Sequence, residues 1–257
     1  MAISMEQIKE LRDATGVSMM ACKGALEEAG GDLETAIDLL RKKGAAKAAD
    51  RADRSTAQGA IVVKSAGGKS AIVELQCETD FVAKGDDFLG LVESIADKLL
   101  KGEIKADDRD FSEIKDAVLR LGENVQIGNM ALLEGDTVGD YVHSNGKIGV
   151  LVSLKGGNPE LARDIAMHIA ASNPTFITPD EVSEELVKRE KAIWADQLKA
   201  EGKADDMIEK IMMGKEKKFR EENALLKQAF VKNPDKLIEQ LLAEGNATVN
   251  EFVRYGI

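Results

Sequence analysis

Ala71-Ile72-Val73-Glu74-Leu75-Gln76-Cys77-Glu78-Thr79-Asp80-Phe81-Val82-Ala83-Lys84 carries the chain from one kind of structure into another. Its first part, Ala71 to Leu75, is an apolar and β-branched run that reads as a buried strand. The polar triplet Glu78-Thr79-Asp80 breaks the run, and Phe88, Leu91, Val92, Ile95 and Leu99 then recur at helical spacing. An acid and a bulky aromatic therefore stand side by side at a strand-to-helix junction. Two readings are open. Thr79 or Asp80 caps the helix while Phe81 staples it to the core, or the scaffold holds the pair out toward a partner.

Outward from that junction, the pattern repeats. Gly59 to Lys64, a Gly67-Gly68-Lys69 turn and Ala71 to Cys77 predict a hairpin followed by a helix from about Asp86 to Leu100. Gly139 to His143, an Asn145-Gly146-Lys147 turn and Ile148 to Leu154 predict a second hairpin, with a helix from Pro159 to Ala171 behind it. Asn-Gly between alternating apolar runs is a type I′ signal. Val125 to Leu133 is a further strand. Two related α+β lobes with small antiparallel sheets follow, over 59–138 and over 139–180 joined by 229–257.

The flanking segments are helical. In 1–44, Ser4 caps a helix with Gln7 three residues on, Ile8, Leu11 and Met5 supplying its apolar face. Ser18 caps a second helix, closed by Gly30-Gly31. Asp32 caps a third, with Leu33, Ala36, Ile37 and Leu40 inward and a stop at Gly44. Residues 45–58 lack apolar periodicity and read as a linker. In 181–228, Thr178-Pro179-Asp180 predicts a helix start. Val182, Leu186, Ile193 and Trp194 form one seam, and Ile208, Ile211, Met212 and Phe219 a second across Glu201-Gly202-Lys203. A protruding antiparallel helical hairpin (coiled coil) is the natural solution, and a candidate self-association surface. Asn233-Pro234 breaks it, and a short helix from Leu237 to Glu244 precedes the end.

Composition narrows the function classes. Hydrophobic residues make up 44% of the 257 positions but aromatics only 4%, which leans toward helices over an all-β fold. A formal net charge of −11 argues against direct nucleic-acid binding, which relies on clustered Lys and Arg. Cys22 and Cys77 have no CxxC partner and read as reduced, buried side chains of a cytoplasmic protein. No apolar run approaches the ~18 residues that span a bilayer, and no signal pattern opens the chain.

Candidate chemistry is sparse. Gly67-Gly68-Lys69-Ser70 resembles part of a phosphate-binding loop, but Val63 stands where that pattern needs glycine and a strand follows instead of a helix. It reads as a turn, and no cofactor is expected. His143 and His168 have no carboxylate cluster at metal-ligand spacing, so no metal is expected. His168 suits packing with one hydrogen bond. His143, beside Tyr141, suits a surface contact. Met19 and Met20 open a helix whose inward face Ala21, Ala25 and Leu26 already supply, leaving at least one methionine for core filling or for a partner. No Ser-His-Asp, Cys-His or paired-carboxylate spacing suggests an enzyme.

Thr79-Asp80-Phe81-Val82-Ala83-Lys84 is similar to the signature of the bacterial translation elongation factor Ts family. Leu11-Arg12-Asp13-Ala14-Thr15-Gly16-Val17-Ser18-Met19-Met20-Ala21-Cys22-Lys23 and Met167-His168-Ile169-Ala170-Ala171-Ser172 resemble it too, in the family's order. The resemblance implies a ubiquitin-associated-like three-helix module ahead of a two-lobed core. It also implies guanine-nucleotide exchange on elongation factor Tu, met in its GDP-bound and nucleotide-free states. Asp80 and Phe81 would disturb the partner's magnesium site, with Thr79 and Val82 fixing the turn. Met19, Met20, Lys23 and His143 would be secondary contacts. Two rivals stand beside it: a passive binding module working through the helical hairpin, and a phosphate-binding enzyme using the Gly-Gly-Lys-Ser turn.

Overall fold

The computed structural model describes residues 3–257, the side chains of Asp205 and Asp206 excepted. It is an α+β protein whose order is α1 (Met5–Thr15), α2 (Met19–Glu28), α3 (Leu33–Arg51), β1 (Gln58–Ala66), β2 (Lys69–Cys77), α4 (Asp80–Ala83), α5 (Asp86–Lys101), α6 (Ser112–Leu121), β3 (Val125–Glu134), β4 (Thr137–Val142), β5 (Ile148–Gly156), α7 (Pro159–Ser172), α8 (Glu184–Ala200), α9 (Asp205–Asn223), β6 (Ala229–Phe230), β7 (Asn233–Leu237), α10 (Ile238–Glu244) and β8 (Ala247–Gly256). Two antiparallel three-stranded sheets, β1-β2-β3 and β4-β5-β8, form the core, with β6-β7 as a minor ribbon.

Helices α1 to α3 form the first module. Ser4 and Gln7 exchange capping hydrogen bonds, at 3.2 and 3.0 Å, which satisfies two orphan amides at the start of α1. Ile8, Leu11, Cys22, Ala25, Leu26, Ala36 and Leu40 are buried together, whereas Met5 is exposed. The third helix does not stop at Gly44. It runs on to Arg51 through a stretch whose four alanines, Lys47 and Arg51 favour helix. Gly44 serves a close approach instead, since a Cβ there would lie 3.0 Å from the Lys115 carbonyl of α6. Much of the expected linker is thus helix, and Ala48 packs against the first lobe.

In the first lobe, Phe88, Leu91, Val92, Ile95 and Leu99 of α5 pack on one face of β1-β2-β3, together with Ile114, Ala117 and Val118 of α6. Gly67 and Gly68 join β1 to β2 with φ of 60° and 78°, the left-handed pair that a two-residue type I′ hairpin requires. The second hairpin differs from expectation. Only Gly146 has positive φ (69°) in its turn, and the loop spans Ser144 to Lys147, closed by the His143 amide donating to the Ile148 carbonyl at 2.9 Å. With four residues in the loop, Asn145 needs no positive φ and Gly146 alone supplies it.

Leu161, Ile165 and Ile169 of α7 pack on Val150, Val152 and Leu154 of β5. The C-terminal segment, where no element past Glu244 is expected, is strand β8, paired along β5 from Ile148–Gly256 to Gly156–Ala247. The two lobes meet sheet to sheet through Ile61, Ile72, Leu133 and Leu151. The Ile61 amide donates to the Gly146 carbonyl at 2.8 Å, which ties the second lobe's turn to the first lobe's edge.

The hairpin forms, with adjusted details. Thr178-Pro179-Asp180 opens only a 3₁₀ turn at Pro179–Glu181, and Ser183 is the cap of α8. Its seam is Val182, Val187, Trp194 and Leu198, while Leu186 and Ile193 face solvent. Val182 and Trp194 hold their expected places in the seam, whereas Val187 and Leu198 fill it where Leu186 and Ile193 are expected. Trp194 meets Phe219 edge to face at 5.7 Å, and Arg220 reaches back to the Val182 carbonyl (2.8 Å) and to Glu184 (2.5 Å). The second helix ends at Asn223, well before Asn233-Pro234.

Candidate functional site: a clamped one-turn helix

The junction between β2 and α5 contains one extra turn of helix, α4, formed by Asp80, Phe81, Val82 and Ala83. Thr79 is its cap, with backbone in the extended region and its hydroxyl accepting from the Val82 amide at 3.4 Å. Ala83 is buried and Val82 half-buried against the first lobe's core. Each residue advances about 100° around a helix, so the side chain two places before Ala83 must point the other way. That side chain is Phe81, and it is 84% exposed. The staple reading fails for this reason: one turn has room to bury a single face, and Ala83 and Val82 occupy it.

Three donors at the start of the turn converge on one acid. The Glu78 and Thr79 amides donate to Glu123 Oε2 at 3.1 and 3.0 Å, and the Thr79 hydroxyl donates to Glu123 Oε1 at 2.6 Å. In return the Asn124 amide donates to Glu78 Oε1 at 2.7 Å. The Asn124 side chain is buried and donates to the Arg54 carbonyl at 2.9 Å, which links the turn to the chain leaving α3. Asn124's amide, helped by Arg54, holds the Glu78 carboxyl below the usual range. Burial, with the Glu123 charge next, pushes the Cys77 thiol up to about 11; its Sγ donates to the Thr79 carbonyl at 3.2 Å. That thiol stays protonated and unreactive.

Asp80 pairs with Lys84 at 2.8 Å across one turn, and this hydrogen bond and charge hold its carboxyl below the ordinary value; Lys147 adds to the effect. Lys147 in turn donates to Gln58 Oε1 at 2.6 Å. The second lobe's turn thus reaches the same side of the molecule as Asp80. His143 is exposed on that turn, with the Tyr141 hydroxyl 3.1 Å from its Nδ1. Met20 is 79% and Met19 38% exposed at the start of α2, beside Lys23, which lies 3.7 Å from Glu27.

His168 is fully buried. Its Nε2 lies 3.0 Å from Gln228 Oε1, and the Val231 amide donates to Nδ1 at 3.3 Å. An amide on Nδ1 places the ring proton on Nε2, and burial lowers the pKa. Among the described residues no three His, Cys, Asp or Glu side chains gather as a metal-holding group, and no helix is long and apolar enough to cross a membrane. Glu123 and Asn124 went unseen in the sequence. Two polar residues between a left-handed Gly122 and an apolar strand were the available signal.

These features define an α+β protein that presents a rigid acid–aromatic turn on its surface. The family profile described as Elongation factor TS matches residues 78–257. Elongation factor Ts of Hydrogenobaculum sp. (strain Y04AAS1) is 43% identical over 272 aligned positions, covering 100% of this chain and 99% of that protein. Elongation factor Ts of Pseudomonas fluorescens (strain Pf0-1) is 43% identical over 263, covering 100% and 91%. The chain belongs to the elongation factor Ts family of translation elongation factors.

Proposed function

We propose that this protein is a guanine-nucleotide exchange factor for elongation factor Tu, acting without covalent chemistry in the cytoplasm, where elongation takes place. The observation that carries the reading is Phe81, a bulky apolar ring held in solvent on a turn whose Glu78 and Thr79 amides and Thr79 hydroxyl are bonded within the chain. An exposed ring on a rigid support favours association, because little ordering entropy is lost when it is buried in a partner. Phe81 enters an apolar slot of elongation factor Tu, and Asp80, kept ionised by Lys84, approaches the ordered magnesium and its waters. Thr79 and Val82 hold the turn. Met19, Met20, Lys23 and His143 supply contacts around it.

The two ligands of elongation factor Tu then oppose each other. If the factor loosens GDP, GDP loosens the factor by the same ratio. The test is release of a fluorescent GDP from elongation factor Tu with and without this protein in less than stoichiometric amount. Accelerated release with turnover is expected. Release at the intrinsic rate refutes the reading and leaves a passive binder.

A further inference from the structure

The geometry points to Glu123 as the positioning residue of the exchange surface: its carboxylate holds the Thr79–Val82 turn in the shape that presents Phe81. This rests on the function proposed above. The short helix α4 cannot hold itself. Four residues close a single turn, which is unfavourable without outside support. Beside the burial of Ala83 and the Thr79 cap, that support comes from one side chain outside the turn, which takes three hydrogen bonds from Glu78 and Thr79 at 2.6 to 3.1 Å. Bonds to an ionised acceptor are the stronger class, and a carboxylate offers the acceptor sites that three donors need.

Glu123 does not belong to the turn it holds. It follows Gly122, whose left-handed φ of 79° ends α6, and it precedes Val125, the first residue of β3. Two anchored elements therefore fix where the carboxylate sits. Asn124 completes the junction by donating from its backbone to Glu78 and from its side chain to the Arg54 carbonyl. The exit of α3, the entry to β3 and the presenting turn share one hydrogen-bonded node. Displacing Glu123 frees the backbone at Glu78 and Thr79, and the direction of Phe81 is then no longer fixed.

The test uses the full chain with Glu123→Ala, Glu123→Gln, Phe81→Ala and the double variant Glu123→Ala/Phe81→Ala. Amide hydrogen exchange over 78–83 should speed up roughly tenfold in Glu123→Ala, as expected when charge-assisted bonds are lost, while exchange within α5 is unchanged. Release of GDP from elongation factor Tu should slow by about tenfold in Glu123→Ala. It should slow less in Glu123→Gln, which keeps one acceptor oxygen. In the Phe81→Ala background, adding Glu123→Ala should cost almost nothing more, since a residue acting through Phe81 has nothing left to position. Unchanged protection over 78–83, or a slowing that adds in full on top of Phe81→Ala, overturns the assignment. If Phe81→Ala itself leaves release unaltered, Phe81 is no part of the mechanism and the assignment of Glu123 falls with it. If the wild-type protein does not accelerate release, it is the proposed function that fails.

Discussion

Replacing Phe81 with alanine separates folding from function sharply, because the ring is 84% exposed. Almost no apolar contact is lost in the free protein, and surface changes of this sort shift stability within about 0.5 kcal/mol. In the complex the whole ring is at stake. Burying a phenylalanine contributes roughly 1.5–3 kcal/mol, and about 1.4 kcal/mol corresponds to tenfold. If that burial occurs only when the nucleotide site is open, Phe81→Ala should slow GDP release by roughly ten- to a hundredfold. Stopped-flow release of fluorescent GDP at saturating factor measures the rate, and thermal unfolding confirms the fold. An unchanged release rate at unchanged stability removes Phe81 from the mechanism. A loss far beyond a hundredfold would instead show that the ring also carries the metal-site disturbance.

Three further outcomes are expected. Replacing 184–221 by a short Gly-Ser linker should spare most exchange activity, because α8 and α9 pack chiefly on each other; complete loss in a folded deletion would favour the passive module that works through its hairpin. Asn223 is kept because its carbonyl accepts the Thr175 and Phe176 amides at 3.1 Å. His168, with a pKa lowered by burial, should make the fold less stable as pH falls below its unfolded value of about 6.5. The unfolded chain binds the proton more readily, so urea midpoints should drop between pH 7.5 and 5.5, and the drop should shrink in His168→Gln. Gly44→Val should destabilise by about 1–3 kcal/mol, since its Cβ would press on the Lys115 carbonyl, with a lower melting temperature as the readout.

Most of the fold was legible wherever one period dominated. Ser4, Ser18 and Asp32 cap the helices they were expected to cap, and the helix from Asp86 and the strand from Val125 begin where their patterns begin. Errors fell where local signals competed with tertiary ones. Gly44 looked like a stop, but glycine within a helix costs only about 1 kcal/mol, which the close packing on α6 offsets. Strand β8 was missed although Thr248, Val249, Phe252, Val253 and Tyr255 are strand formers, because its partner β5 lies about a hundred positions earlier. The Asp80-Phe81 pair was visible as a motif. Its orientation was not, since a staple and a displayed ring share one sequence pattern until it is known that Ala83 takes the buried face; the clamping carboxylate of Glu123 lies 44 positions beyond Thr79.

The central claim concerns where one ring goes. In a complex of this protein with nucleotide-free elongation factor Tu, the exposure of Phe81 should fall from 84% to nearly nothing, with the ring inside the partner beside its magnesium and phosphate site. A complex in which that ring still stands in solvent, however tightly the two proteins bind elsewhere, would contradict the account.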